Sequence, residues 1–408
     1  MADAIPVAVI GGGAYAARLV ELVAAAGLPP LELRLCARDR ERLDAIAAHA
    51  AARVAGGQVA VRACGELDDA IAGAAVVVLL IRVGGLAARA HDESFPARFG
   101  LVGDEGVGVG GMANAWRTLP VLDGIAARLA TRAPAARVLN LMAPLGVTTR
   151  LLVDHGLDAV GLCELPAATL ARWTAAVGPA PPLAYAGLNH LGFFWAPGQA
   201  PLEHPVLRAA VDAGAAPASL VERLGAAPLH YYVEVFEPEA ARQVGRARRP
   251  GRAEELAGLS QEILDQFRQA PGAPAPALAR RPTPWFDDAL VPALAAVLGG
   301  PAYQGPLDLP AGGLLDETPL AVVVELFGRI DGGGASFDPV PARPAPVRAI
   351  LSRLAAAEDL LYRAATQRDP WLLADALDAL PLAWDGSSRE KAELLDEVVA
   401  PISEWRAP

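Results

Sequence analysis

The stretch PVAVIGGGAYAARLVELVAAA, Pro6–Ala26, decides the fold. Pro6–Ile10 is a short apolar run that reads as a strand. It stops at Gly11, Gly12 and Gly13, and Ala14–Ala26 then reads as a helix. A strand that ends in glycines and opens a helix presents backbone N–H groups to a pyrophosphate, and glycine is needed because a side chain would block the approach. Gly11 and Gly13 fill positions one and three of the G-x-G-x-x-G pattern, and Ala16 replaces the third glycine. The turn is expected to bind NAD. The plain alternative is a tight strand-to-helix turn that binds nothing. The second strand, Leu31–Cys36, ends where an acid ordinarily meets the adenosine ribose. Ala37 stands there, followed by Arg38 and Asp39. Arg38 can accommodate a 2′-phosphate, which keeps NADP open beside NAD, and Asp39 reaches the ribose with a small shift of register. Alternatively the two residues simply open a solvated helix, Arg38–Val54.

Further along, AVVVLLI (Ala75–Ile81) is a continuous β-branched run, typical of a parallel strand buried on both faces, and RVLNLM (Arg137–Met142) is another. Strands that alternate with helices predict an α/β protein with a doubly wound parallel sheet. A chain of 408 residues accommodates two domains. The first, a Rossmann-type NAD-binding domain, is placed at residues 1–180, and the second at 181–408. The second half is less regular. Leu183–Trp195 reads as strand and loop, Pro217–Leu224 and Ala240–Gln269 as helices, and Pro271–Pro284 as a Pro- and Ala-rich loop. Leu307–Leu326 reads as strands around Gly312 and Gly313, and Arg348–Leu380 and Ser388–Trp405 as amphipathic helices.

The formal charge is −11, from 35 basic and 46 acidic residues. That argues against a nucleic acid or an anionic membrane as partner, yet a few local arginines suffice for a small anionic substrate. Cys36, Cys64 and Cys163 are too few and too scattered for a disulfide framework, so a reducing, cytoplasmic setting is expected. No signal peptide and no membrane-spanning run are expected.

The most distinctive strings are RVGGLAARAHDESFP (Arg82–Pro96), GDEGVGVGG (Gly103–Gly111), RTLP (Arg117–Pro120), GLCELP (Gly161–Pro166) and GLNHL (Gly187–Leu191). Together they resemble glycoside hydrolase family 4, whose members depend on NAD and a divalent metal and in many cases act on 6-phosphoglycosides. The resemblance weakens after about residue 230 and stays traceable to the C-terminus. It implies a mixed α/β second domain like that of lactate and malate dehydrogenases, which holds substrate and metal and joins subunits into a homodimer or homotetramer. It also implies that Cys163 and His190 bind manganese or another divalent metal. A thiolate and an imidazole are firm ligands that leave positions open for substrate hydroxyls. Arg82 would grip a sugar phosphate, as a guanidinium can do with two parallel bonds. Arg281 in RRPTPWF (Arg280–Phe286) resembles a second such arginine, and Glu105, Asn140 and Asn189 become substrate contacts. In APLHYYVEVF (Ala227–Phe236), Tyr231 aligns with the family's base. A phenol of ordinary pKa near 10 needs a nearby metal or cation for that role. Glu164 stands where the family's acid would be. The implied reaction is glycoside hydrolysis by NAD-dependent oxidation at C3, deprotonation at C2, elimination, water addition and re-reduction, outside the usual two-carboxylate scheme.

The departures from the pattern are specific. Asn140-Leu141-Met142-Ala143-Pro144 replaces Asn-Phe-Thr-Asn-Pro, so a sugar-contacting asparagine has become Ala143. Glu164 is one methylene longer than an aspartate, and Ala311 stands in place of another asparagine. Each lost hydrogen bond removes roughly 0.5–1.5 kcal/mol. The expectation is therefore a changed substrate or a reduced activity. The competing readings are an NAD(P)-dependent sugar or hydroxy-acid dehydrogenase, and a non-catalytic relative that binds NAD or a sugar phosphate.

Overall fold

A computed structural model describes residues 4–245 and 251–401. Residues 246–250 of the expected helix Ala240–Gln269, and 402–405 of the expected helix Ser388–Trp405, lie outside the described residues. The strands are β1 (Ile5–Gly11), β2 (Leu31–Cys36), β3 (Val59–Cys64), β4 (Val76–Leu80), β5 (Arg137–Asn140) and β6 (Asp158–Leu162), followed by β7 (Ala184–Leu188), β8 (Leu191–Trp195), β9 (Ala227–Pro228), β10 (Tyr303–Pro310), β11 (Val323–Asp331) and β12 (Gly334–Phe337). They form one sheet in the order β3-β2-β1-β4-β5-β6-β10-β11-β7-β8-β9, with β12 added to β11. The first six strands are parallel and carry the doubly wound order. From β6 onward every pairing is antiparallel.

The parallel half is apolar on both faces because its strands are covered twice. Val7 and Val9 face the helices Ala16–Ala25 and Arg40–Arg53, where Leu19, Val20, Leu43 and Ile46 are buried. Ala8 and Ile10 face the helix Gly108–Arg132, through Met112, Leu119 and Leu122. A third core, with Phe193, Phe194 and Trp195 at its centre, lies under the short helices of the second half. The Pro- and Ala-rich segment is ordered, contains the tight turn Pro276–Arg280 and buries Ala277 and Leu278. Among the described residues no helix is long and apolar enough to cross a membrane.

One row of residues crosses the junction between the two kinds of pairing. Asn140 is in register with Gly161, Gly161 with Asp308, Asp308 with Glu325, Glu325 with Gly187, and Gly187 with Gly192. In-register neighbours share a face, so two carboxylates stand side by side in the middle of the sheet.

Candidate active site

The strand order reverses between β1 and β4, and ligands of such sheets bind outside the carboxyl ends at that point. There the glycine turn runs through φ of 92°, 86° and 52° at Gly11, Gly12 and Gly13, all left-handed. The Gly12 amide donates to the Leu80 carbonyl at 3.1 Å, which ties the turn to β4. A Cβ on Gly11 would lie 2.7 Å from that same carbonyl oxygen, whereas one on Gly13 would meet nothing within 4 Å. Asp39 caps the helix Arg40–Arg53, accepting from the Arg42 amide at 3.0 Å, and Arg38 is exposed beside it at the end of β2.

A cluster of guanidiniums lies beyond β4. Arg82 grips Glu105 with two parallel bonds of 2.7 and 2.8 Å, and Arg89 adds a third at 2.8 Å. Burial alone would raise the Glu105 carboxyl, but Arg82 and Arg89 outweigh it and hold the group at about 2. Arg281 is placed differently. Its guanidinium lies 4.6 Å from the centre of the Trp285 ring and 5.3 Å from that of Tyr15, in the glycine turn. Its Nε is buried and has no hydrogen-bond partner. The charges of Arg89 and Arg82 reach it, and Arg89 is paired with Glu93 at 2.7 Å as well as with Glu105, so the cluster holds two carboxylates against three guanidiniums.

The second group assembles around the β7–β8 hairpin. Asn189 and His190 form its two-residue connection, and His190 adopts φ 67°, a conformation that favours glycine. Its imidazole stacks on the Tyr231 ring, with centroids 4.3 Å apart and planes 17° from parallel. Tyr231 arrives on the short helix His230–Phe236, directly after β9 pairs with β8. Gly106 backs the imidazole, its Cβ position 3.7 Å from His190 Nδ1. On the other side of Asn189 lies Glu325, fully buried, which accepts from Asn189 Nδ2 at 2.8 Å and from the Tyr185 hydroxyl. The thiol of Cys163, the residue after β6, is in hydrogen-bonding reach of the same carboxylate. Burial pushes Glu325 up to about 7 against the pull of those three donors.

Burial, and then the negative charges of Glu325, Glu164 and Asp308, drive the Cys163 thiol well above its usual range. Among the described residues no three His, Cys, Asp or Glu side chains are grouped as metal ligands, so a cation here would take a thiolate and an imidazole, Cys163 and His190, and fill its other positions from elsewhere. Glu164 opens the helix Leu165–Ala175, and burial raises its carboxyl above the usual range. Asn140 is fully buried at the end of β5. Its amide donates to Thr148 at 2.9 Å and Thr149 at 3.0 Å, and its carbonyl accepts from the Met142 amide at 3.1 Å.

Most of the predicted residues fall into three groups: the glycine turn with Arg38 and Asp39, the arginines with Glu105, and Cys163 and Glu164 with Asn189, His190 and Tyr231; Asn140 stands apart, its amide spent on Thr148, Thr149 and Met142. Arg281 bridges the first two through Tyr15. Sequence reasoning missed Glu325, Tyr185, Asp308 and Arg89. A signal existed for Glu325, the lone charge in the run AVVVELF, 321–327. Buried carboxylates are rare unless they have a task.

Comparison with known proteins agrees with this architecture. A family model described as family 4 glycosyl hydrolase matches residues 6–178, and one for the C-terminal domain of the same family matches residues 185–383. A probable 6-phospho-beta-glucosidase of Bacillus subtilis is 31% identical over 205 residues, 47% of this chain and 46% of that protein. The match therefore spans about half the length of that relative. A 6-phospho-beta-glucosidase of Thermotoga maritima, solved with manganese, NAD+ and glucose-6-phosphate, superposes with a TM-score of 0.81 at 21% identity, covering 97% of both chains. A 6-phospho-alpha-glucosidase from gut microorganisms, solved with NAD and Mn2+, gives a TM-score of 0.79 at 18% identity, covering 97% of this chain and 98% of that one. With both family models matched across the two halves, the chain belongs to family 4 of the glycosyl hydrolases.

Proposed function

We propose that the protein hydrolyses a 6-phosphorylated glycoside with the help of NAD+ and a divalent metal such as manganese. The observation that carries this reading is the stack of Tyr231 on His190, which sets a phenol against an imidazole whose neighbour, Asn189, shares a carboxylate with Cys163. When bound, the dinucleotide and the metal supply a hydride acceptor and a Lewis acid, so that C3 can be oxidised, the C2 proton acidified, the aglycone eliminated, water added and the hydride returned.

The chain's own residues do the rest. Gly11–Gly13 receive the pyrophosphate, with Arg38 and Asp39 at the adenosine end. Cys163 and His190 would hold the metal. Tyr231 takes the C2 proton at its phenolate oxygen. Glu164, whose raised carboxyl keeps its proton further up the pH scale than an ordinary glutamate, gives that proton to the leaving oxygen. Arg281 takes the sugar phosphate, since its Nε has no partner and Arg82 is already gripped by Glu105. Arg82 and Arg89, compensated by Glu105 and Glu93, leave Arg281 as the guanidinium of the cluster with an open donor. Asn189 orients the sugar hydroxyls.

A panel of p-nitrophenyl glycosides, with and without a 6-phosphate, tests the reading under reducing conditions. Release of nitrophenol should need both NAD+ and Mn2+, prefer the phosphorylated sugars and leave no net NADH. Tyr231→Phe should lower that rate about 10²–10⁴-fold, the usual worth of a positioned base. Net NADH accumulation, or release without either additive, would overturn it.

A further inference from the structure

We propose that Glu325 is the positioning residue of the Cys163–His190 site, the one carboxylate that sets both ligand-bearing segments at once. The proposal rests on the reading of Cys163 and His190 as metal ligands. Three donors from separate places in the fold converge on Glu325: the Tyr185 hydroxyl from β7, the Asn189 amide from the hairpin connection, and the Cys163 thiol from the end of β6. Two of them hold the ligands in place. Cys163 is itself one ligand, and Asn189 immediately precedes the other. His190 keeps a left-handed backbone, uncommon for a residue with a side chain. An anchor on the preceding residue accounts for its persistence.

The surroundings of Glu325 are shaped for this. Its in-register neighbour on β7 is Gly187, which is in turn paired with Gly192. A Cβ on Gly192 would lie 2.0 Å from the Tyr185 hydroxyl oxygen, so the phenol occupies the space a side chain would take. Stability alone gives no reason for the carboxylate. Among the described residues no ion pair to Glu325 occurs, and a buried, unpaired carboxylate is costlier than an apolar side chain of the same volume. Groups that orient ligands from the second layer typically alter metal affinity about 10–100-fold when changed.

The test uses the full chain, freed of metal and saturated with NAD+, titrated with cobalt(II). Thiolate-to-cobalt charge transfer in the near ultraviolet reports Cys163, and the visible bands report coordination geometry. The unaltered chain should show the charge-transfer band and Cys163→Ser should lose it. Its absence from the unaltered chain would remove the ligand reading itself, before Glu325 is touched. Given the band, Glu325→Gln should bind cobalt about 10–100-fold more weakly, with a shifted spectrum and an NAD+ affinity within twofold of the unaltered chain. A lowered melting temperature with unchanged cobalt affinity and spectrum would show a purely structural role and overturn the proposal. If Glu325→Gln does not fold, Asn189→Ala cuts one link and leaves the carboxylate in place. It should weaken cobalt binding in the same direction, and an unchanged affinity there would overturn the proposal equally.

Discussion

Glu358 shows what a half-buried carboxyl with one oxygen sealed from solvent does to this molecule. It projects from the helix Ala345–Gln367, with one oxygen 2.2 Å from where a Cβ on Gly146 would stand, and its other oxygen is buried without a hydrogen-bond partner. Burial pushes the group up to about 8, and Arg150 offsets this only in part. The folded protein therefore favours the neutral acid. Its stabilising contribution is complete below the unfolded value near 4.3 and falls away as pH rises through about 8. Glu358→Gln, which cannot ionise, should flatten the loss of stability between pH 5 and pH 9, by an amount on the order of a few kcal/mol. Urea midpoints of both proteins across that range check it, and parallel curves would count against it. At this scale the candidate site was half legible. Residues inside unbroken strings, such as Arg82, Cys163 and His190, could be named from spelling alone. Glu325 and Tyr185 could not, because their importance comes from a register between strands more than 130 positions apart (325 − 185 = 140).

Among the elements, the glycine turn and the helix Gly108–Arg132 make opposite points. The turn was readable because a local rule governs it: an extended strand, left-handed residues, a helix start. The helix was not, since Gly108, Gly110, Gly111 and Pro120 all speak against one by propensity. Tertiary packing overrides that preference. A Cβ on Gly110 would lie 2.3 Å from the Asp104 carbonyl oxygen, so the glycines are there to let this helix sit against the loop before it. The second helix likewise begins at Arg40, with Asp39 as its cap, two residues after its expected start. β3, β6 and β12 had no strong local signal either, being short or partly polar. The turn also separates two kinds of glycine. Gly11→Ala should lower the melting temperature, because its Cβ would collide with the Leu80 carbonyl. Gly13→Ala faces open space and should cost about 1 kcal/mol of backbone strain while weakening NAD+ binding more than tenfold. Calorimetric melting and NAD+ titration of the two variants, side by side, distinguish these effects. Equal losses of binding and stability in both would contradict the division.

At the scale of the whole molecule, the N-terminal and C-terminal family matches meet within one sheet. β6 pairs with β10, and Asn140, Gly161, Asp308 and Glu325 run across that seam in register. Neither half can separate without exposing the strand edges of β6 and β10 and the apolar core that Val160, Leu162 and Leu307 share across the seam. One cooperative unfolding transition is expected for the chain without cofactor, with coincident midpoints by circular dichroism and tryptophan fluorescence. Two resolved transitions would show that the seam is weaker than its pairing implies.

Tyr15 belongs to the glycine turn and Arg281 lies over its ring, so one aromatic side chain is common to the place proposed for the dinucleotide and the place proposed for the sugar phosphate. Shared structure of this kind is a route for coupling, and any coupling is reciprocal by linkage. Whatever factor the dinucleotide adds to the affinity for sugar phosphate, the sugar phosphate returns to the dinucleotide. With a positive sign, that coupling would serve an enzyme that keeps its cofactor through oxidation and re-reduction: a seated sugar would tighten the dinucleotide, and product release would loosen it.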